Sequence, residues 1–164
     1  MNNITIQIAS AVDIEELAQV EVESKIKSIP ECVEDIEIDY QSTKYRWQTY
    51  FKGESPNGSK SGRLILKAEI GDKIVGFIAG HLTTRYEKDA EIQSFYVLKE
   101  YQRKRIGTDL FHTLTGWMME QGVRSLCVGF ALENKYQAFY LKKGGRYLNP
   151  HWICWDNLEE IAQH

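Results

Sequence analysis

The spacing of apolar residues predicts alternating strands and helices along the chain. Isoleucines alternate with polar residues over Ile4–Ile8, which is typical of a strand. Ser10 then precedes a helical pattern, and Asp13 stands where an acidic capping partner belongs. The buried face of this helix should carry Ile14, Leu17 and Ala18. A second, aromatic-rich helix is predicted over Thr43–Phe51.

The middle of the chain predicts three strands in succession. Arg63–Ile70 and Lys73–Thr84 flank Gly71-Asp72, a hairpin signal, and Asp89–Leu98 supplies the third strand. Strands joined by short turns pair antiparallel. The stretch Gly53–Gly62 before them is rich in glycine and serine, which predicts a flexible loop.

The last third of the chain alternates between helices and short strands. We predict a helix over Thr108–Gln121, a strand over Leu126–Phe130 and a helix over Asn134–Lys143. A final strand pair is predicted over Arg146–Leu148 and Trp152–Trp155. The order β-α-α-β-β-β-α-β-α-β-β is that of a mixed α/β domain with a largely antiparallel sheet.

Composition and charge narrow the class of protein. At 164 residues, with 43% hydrophobic and 26% charged residues, the chain suits one globular domain over residues 1–164. A net charge of -3 gives no support for nucleic-acid or membrane binding, and no apolar run reaches membrane-spanning length. The cysteines, Cys32, Cys127 and Cys154, form no C-x-x-C pair, and no signal-peptide pattern is apparent. We therefore expect a cytoplasmic protein with no metal site.

The turn between the Asp89–Leu98 strand and the following helix carries the clearest candidate chemistry. It contains three consecutive cations, Arg103, Lys104 and Arg105, followed closely by Gly107. At a helix N-terminus the first backbone N–H groups lack partners and the dipole favours anions. Glycine also lets a ligand approach the backbone. The turn therefore predicts a phosphate cradle, although a solvated basic turn is the alternative.

Three segments together resemble the GNAT acyltransferase superfamily: Glu91–Leu98, the basic turn, and Asn134–Gly145. The hallmark of that superfamily is Q/R-x-x-G-x-G/A after a central strand, then a helix that begins near Asn and ends F-Y-x-x-x-G. Gln102 and Gly107 match the first motif. Arg105 and Thr108 replace its first glycine and its terminal Gly/Ala.

This resemblance implies a GNAT-like acyl-CoA N-acyltransferase fold. Its central sheet is mostly antiparallel, contains one parallel pair of strands that splay apart, and is flanked by about four helices. The splay would lie between the strands Glu91–Leu98 and Leu126–Phe130.

The resemblance also implies an N-acetyltransferase that moves an acetyl group from acetyl-CoA to a primary amine of a small molecule or peptide. The pantetheine arm would lie along Phe95, Tyr96 and Val97 like an added strand, and the Val97 N–H would polarise the thioester carbonyl. Asn134 would cap its helix, bond the pantetheine arm, or do both. The pyrophosphate would be held by the residues of the basic turn: Gln102, Arg103, Lys104, Arg105, Ile106, Gly107 and Thr108.

Two residues are the candidates for proton transfer. Glu91 lies 11 positions before Gln102, the spacing of the general-base glutamate in histone-type members of the superfamily. A water chain is the alternative base. Tyr140 matches the F-Y tyrosine that protonates the coenzyme A thiolate in many members. His81, inside a predicted strand, is a further candidate for an acid or base that faces the site.

Other functions remain open from the sequence. A non-catalytic acyl-CoA-binding sensor or interaction module would use the same fold, and the presence of both Tyr140 and Glu91 favours an enzyme instead. A nucleic-acid binder would rest on the three cations alone, and the net charge opposes it. The acidic stretch Glu31–Asp39 indicates either a cationic acceptor or a solvated loop. Dimers are common among similar proteins, so a homodimer is compatible with the resemblance.

Overall fold

Seven strands form one sheet in the computed structural model, which describes residues 3–28, 35–54, 56, 59–130 and 136–161. Within these ranges the strand order across the sheet is β1-β2-β3-β4-β5-β7-β6. The strands are β1 Ile4–Ile8, β2 Ser59–Ile70, β3 Lys73–Thr83, β4 Ala90–Val97, β5 Leu126–Gly129, β6 Arg146–Asn149 and β7 Trp152–Trp155. Neighbouring strands are antiparallel except β4 and β5, which are parallel. The predicted mixed α/β sheet with one parallel strand pair is confirmed.

Helices cover both faces of the sheet. They are α1 Ile14–Ser28, α2 Ile36–Phe51, α3 Ile106–Glu120 and α4 Tyr136–Lys142. Leu17 of α1 and Trp47 of α2 pack with β3 on one face. Leu110 of α3 and Tyr140 of α4 pack on the other. No helix in the described ranges combines the length and apolar character that crossing a bilayer requires.

The two N-terminal helices show how local caps set their boundaries. The carboxylate of Asp13 accepts a hydrogen bond from the Ser10 N–H at 2.9 Å, as the capping pattern predicts. The predicted inward residues of α1 are all buried: Ile14, Leu17 and Ala18.

The predicted start of the second helix at Thr43 is wrong, because α2 begins at Ile36. Asp35 caps it by accepting from the Ile38 N–H at 3.1 Å, and Glu37 and Asp39 favour its N-terminal dipole. Two members of the predicted acidic stretch are therefore helical. Residues 29–34 lie outside the described residues.

The predicted loop Gly53–Gly62 is shorter than expected. β2 begins at Ser59, which pairs with Thr83 of β3 across a register shift. The Arg63 guanidinium donates a hydrogen bond to the Ser59 hydroxyl at 3.2 Å and so holds this irregular start of the strand.

An extra residue in β4 changes which way its side chains point. Ala79 of β3 pairs with Ser94, but the next β3 residue, Gly80, pairs with Ile92, which leaves Gln93 as a bulge. A bulge shifts the two-residue alternation of a strand by one position. Even-numbered side chains before Gln93 and odd-numbered side chains after it therefore point to the same face of the sheet.

The bulge assigns the site candidates of β4 to opposite faces. Ile92, Phe95 and Val97 all pack on the face covered by α3 and α4. Tyr96 packs on the face covered by α1 and α2, where Glu91 contacts a β3 side chain that is hydrogen-bonded to α2. A regular strand would have placed Phe95 and Glu91 on the same face.

Candidate active site

The parallel pair of strands separates after a short contact. β4 and β5 pair through Ala90 with Leu126, Glu91 with Cys127, and Ile92 with Val128. β4 then continues to Val97, while β5 ends at Gly129. Within the described chain no strand pairs with this edge of β4 beyond Ile92. This is the splay that the resemblance implies, and it lies between the predicted strands.

Both main-chain groups of Val97 are already hydrogen-bonded inside the protein. The Leu98 N–H donates to the Val75 carbonyl of β3 at 2.9 Å, so the preceding N–H of Val97 faces the open edge. There the Val97 N–H donates to the hydroxyl of Tyr136 at 3.1 Å. The Gln102 side-chain amide donates to the Val97 carbonyl at 2.9 Å. The tyrosine hydroxyl thus accepts the hydrogen bond of the same N–H group to which the resemblance assigns the polarisation of the thioester carbonyl.

Helix α4 supplies an aromatic wall along the open edge. The ring centroids of Tyr136 and Tyr140 lie 5.1 Å and 6.3 Å from that of Phe95. Tyr140 also packs edge-on against Trp155 at 5.8 Å, and it is 3% exposed. Burial raises the pKa of Tyr140, and Tyr136 and Tyr96 add to the rise, so its hydroxyl keeps its proton at neutral pH.

Glu91 lies on the opposite face, where β4 still pairs with β5, and is 5% exposed. Its Oε1 lies 3.0 Å from Arg85 Nε and 3.6 Å from His81 Nε2. None of these three atoms makes an aligned hydrogen bond with a described residue, although all are buried. On its other side, His81 Nδ1 lies 2.9 Å from the Tyr50 hydroxyl. Glu91 is therefore a buried carboxylate in an ion pair with Arg85, and not a solvated surface residue.

A strained turn carries Arg85 to this position. The two residues after it, Tyr86 and Glu87, have left-handed φ angles of 53° and 60°. Such conformations cost on the order of 1 kcal/mol or more for residues other than glycine, and they often mark functional sites. Trp152 of β7 holds the turn in place, since Arg85 lies 5.2 Å from its ring and the Tyr86 ring lies 5.1 Å away.

The basic turn leads into α3 through two left-handed residues. Arg103 and Arg105 have φ angles of 62° and 66°, and Arg105 is the helix N-cap. Arg105 thus adopts the conformation for which glycine is favoured, at the position where the family motif has glycine. Left-handed residues in a turn allow successive N–H groups to converge on an anion. The N–H groups of Ile106–Thr108 form the first helical turn, because α3 begins two residues before its predicted start.

The side chains of this turn divide between solvent and core. Arg103, Lys104 and Arg105 are exposed, and none of them forms an ion pair with a described residue. Ile106 is buried, so only its backbone is available to a ligand. A Cβ at Gly107 would lie 3.3 Å from the Phe95 ring. Gly107 therefore allows α3 to pack closely on β4, a function that the sequence did not indicate.

A lysine and a histidine contact each other beside the first turns of α3. Lys143, at the end of α4, lies 3.3 Å from His112 of α3 through Nζ and Nε2. Burial lowers the pKa of Lys143, and Arg105 and Lys142 lower it further. Burial and Lys143 likewise lower the pKa of His112. Arg105 and Lys143 place two positive charges near the start of α3, which favours an anion there.

The sequence predicted some of these residues and missed others. Asn134 lies outside the described residues. Tyr136 was missed, although it stands four residues before Tyr140 and so shares its helix face. Arg85 and Lys143 carry no local signal, because their contacts come from other elements.

A sequence model of the GNAT acetyltransferase family matches residues 26–145. The chain belongs to this family. Acyl transfer is the chemistry of the GNAT family, and acetyl-CoA is its cosubstrate. No curated protein sequence matches the chain.

Solved structures share the GNAT fold at low sequence identity. PaiA N-acetyltransferase from Thermoplasma acidophilum, in complex with coenzyme A, is 20% identical with a TM-score of 0.72, over 93% of this chain and 97% of that chain. A GNAT family acetyltransferase from Staphylococcus aureus Mu50 is 20% identical, with a TM-score of 0.69 over 95% and 99% of the two chains. One from Brucella melitensis, in complex with acetyl-CoA, is 18% identical, with a TM-score of 0.64 over 95% and 89%.

The Tyr136–Val97 hydrogen bond generates a prediction about cofactor affinity. Tyr136→Phe keeps the ring but leaves the Val97 N–H unpaired before binding, and an unpaired buried donor costs about 1–3 kcal/mol. We expect acetyl-CoA to bind roughly 5- to 100-fold more tightly, measured by calorimetry. The matched control is Tyr147→Phe, whose hydroxyl bonds to Gln137 at 2.9 Å on the exposed surface. Weaker binding by the Tyr136 variant alone would mean that this hydroxyl contributes a contact to the ligand.

Proposed function

We propose that this chain transfers an acetyl group from acetyl-CoA to a primary amine of a small molecule or peptide. The observation that carries the proposal is the open edge of β4, with Glu91 one residue before its start on one face of the sheet and Tyr140 packed on Phe95 on the other. A carboxylate and a phenol on opposite faces of one strand suit a reaction in which one group gains a proton and another gives one up.

The basic turn would hold the phosphates of the cofactor. The three exposed cations, the N–H groups of Ile106–Thr108 and the left-handed turn all favour an anion at the N-terminus of α3. Lys143 adds positive charge beside it. At the other end, the edge of β4 at Phe95, Tyr96 and Val97 would hold the pantetheine arm once Tyr136 releases the Val97 N–H.

Glu91 would accept the proton of the acceptor amine. An alkylamine has a pKa near ~10 and is mostly protonated at neutral pH, so attack on the acetyl group requires loss of a proton. Arg85 and His81 both contact Oε1 of Glu91, and no contact of this kind falls on Oε2 within the described residues. Oε2 is therefore the oxygen assigned to the amine.

Tyr140 would donate a proton to the departing thiolate. A free thiol has a pKa near ~8.5, below that of a phenol in water, but a thiolate left in an apolar enclosure is strongly disfavoured. The raised pKa of Tyr140 ensures that the proton is present when the thiolate forms.

Attack by the amine would be direct, without an acyl-cysteine. Cys127 pairs with Glu91 across β4 and β5, but burial raises the pKa of its thiol to about 12, and Glu91 adds to the rise. A protonated thiol is a poor nucleophile. Cys154, its partner on β7, is also buried.

An acetylation screen tests the proposal. Thiol release from acetyl-CoA would be measured with polyamines, amino acids, aminoglycosides and peptide N-termini as acceptors, with acetyl-CoA alone as the control. Acceptor-dependent release supports an enzyme. Binding of acetyl-CoA without release for any acceptor would favour a non-catalytic sensor, in which the Tyr136–Val97 bond regulates access to the ligand.

Charge removal in the basic turn should weaken cofactor binding in a salt-dependent way. Exposed ion pairs contribute about 0.2–1 kcal/mol, so Arg103→Ala and Lys104→Ala should each weaken acetyl-CoA binding by up to about fivefold at low salt. The loss should shrink at high salt because exposed charges are screened. Lys44→Ala is the control, since Lys44 is ion-paired with Glu15 on another face. Equal losses at both salt concentrations would contradict a charge contact.

Tyr140→Phe should reduce turnover and leave cofactor affinity unchanged. The substitution removes only the hydroxyl, and a positioned acid contributes about 100- to 10,000-fold. We expect kcat to fall within that range at an unchanged Kd for acetyl-CoA. Phe139 and Trp155 still enclose the ring, so the melting temperature should stay close to that of the wild type. Wild-type kcat in this variant would assign the proton to another donor.

Glu91→Gln should change the dependence of rate on pH. At pH near ~7 the variant lacks a base, and kcat/KM should fall by about 100- to 10,000-fold. As the pH approaches the pKa of the acceptor, near ~10, the free amine becomes abundant and the rate should partly recover. A profile parallel to that of the wild type across this range would favour a water chain as the base.

A further inference from the structure

His81 is a buried histidine with a polar partner on each side of its ring. It is 0% exposed and lies on β3 directly opposite Glu91. The Tyr50 hydroxyl of α2 lies 2.9 Å from Nδ1, and Glu91 Oε1 lies 3.6 Å from Nε2. A buried imidazole placed between a phenol and a carboxylate requires an explanation beyond packing.

The direction of the Tyr50 hydrogen bond decides which ring nitrogen carries the hydrogen. Burial raises the pKa of Tyr50, so the phenol keeps its hydrogen and is available as the donor to Nδ1. Nδ1 is then the acceptor nitrogen, and a neutral ring must carry its hydrogen on Nε2. This N–H faces the carboxylate. Arg63 holds Tyr50 in turn, because its guanidinium donates to the Tyr50 carbonyl at 2.8 Å and lies 4.4 Å from the ring.

His81 Nε2 and Glu91 Oε1 face each other but do not form a hydrogen bond. Their separation of 3.6 Å exceeds that of a normal hydrogen bond, and neither atom has another hydrogen bond to a described residue. A rotation of the carboxylate that turns Oε2 toward an amine would leave Oε1 free to accept from Nε2. Hydrogen bonds of catalytic groups often tighten only once substrate is bound.

We propose that His81, oriented by Tyr50, is a positioning residue for Glu91: it fixes Oε1 so that Oε2 faces the acceptor amine. Arg85 contacts the same Oε1 from the turn after β3 and acts with it. The proposal rests on the proposed function, because it assigns Glu91 as the base, but the tautomer of His81 is independent of turnover.

Two substitutions distinguish the contribution of Nδ1 from that of Nε2. His81→Gln places an amide donor near the position of Nε2 and loses the acceptor for Tyr50. His81→Asn keeps an acceptor near Nδ1 and loses the donor to Glu91. We expect His81→Asn to lower kcat about 10-fold or more, and His81→Gln to retain more of the wild-type kcat. The reverse order would overturn the proposal.

A double-mutant cycle distinguishes positioning from a structural contribution. If His81 acts through Glu91, His81→Asn should lower kcat in the wild type but not further in Glu91→Gln, a coupling of about 2- to 100-fold between contacting residues. Equal losses in both backgrounds would overturn the proposal. Should His81→Asn fail to fold, Tyr50→Phe removes the orienting hydroxyl alone, and its loss of kcat should likewise vanish in Glu91→Gln.

Nitrogen-15 NMR of the His81 ring provides the test that needs no acceptor. The expected result is a neutral ring with its hydrogen on Nε2, and Tyr50→Phe should raise the fraction that carries it on Nδ1. A wild-type ring with its hydrogen on Nδ1 would overturn the proposal even in an active enzyme. Failure of every acceptor in the screen, with the Nε2–H tautomer present, would instead count against the proposed reaction while leaving the arrangement of Tyr50, His81 and Glu91 supported.

Discussion

The separation of β4 from β5 after Ile92 is the constraint on which the site depends. Backbone N–H and C=O groups have to be paired when they are buried, and an interior strand normally pairs them on both sides. Here one side of β4 loses its strand partner. The protein satisfies Val97 with a tyrosine hydroxyl and a glutamine amide instead. Side-chain partners can be exchanged for those of a ligand more readily than a strand can be removed.

The bulge at Gln93 determines which side chains of β4 lie on each face of the sheet. The bulge shifts the alternation of side chains along β4. As a result, Glu91 before it and Phe95 after it lie on different faces of the sheet. On the α1–α2 face, Glu91 lies beside buried His81 and partly exposed Arg85. On the other face, Tyr140 lies in an aromatic enclosure. The carboxylate lies beside a guanidinium and an imidazole, whereas burial keeps the phenol protonated.

Much of the fold was predictable because periodicity is a local property. The isoleucines of β1, the hairpin between β2 and β3, and the apolar face of α3 all have regular spacing. The start of α2 was not predictable in this way, because its first turns are polar and are stabilised by the Asp35 cap. The basic turn was found from its charges. The contact of Tyr136 with Val97 joins residues 39 apart in the chain, and periodicity carries no information about it.

The contact between Gly107 and Phe95 has a consequence for the donor molecule. A Cβ at Gly107 would lie 3.3 Å from the Phe95 ring, so the first turn of α3 packs closely on β4 beside the open strand edge. The distance between them is then set by the fold and does not adapt to the ligand. In the proposed reaction, this spacing selects donor molecules whose pantetheine arm has the matching length. A thioester donor whose phosphates and reactive carbon were closer together would engage only one end, and it would lose the benefit of holding both ends at once.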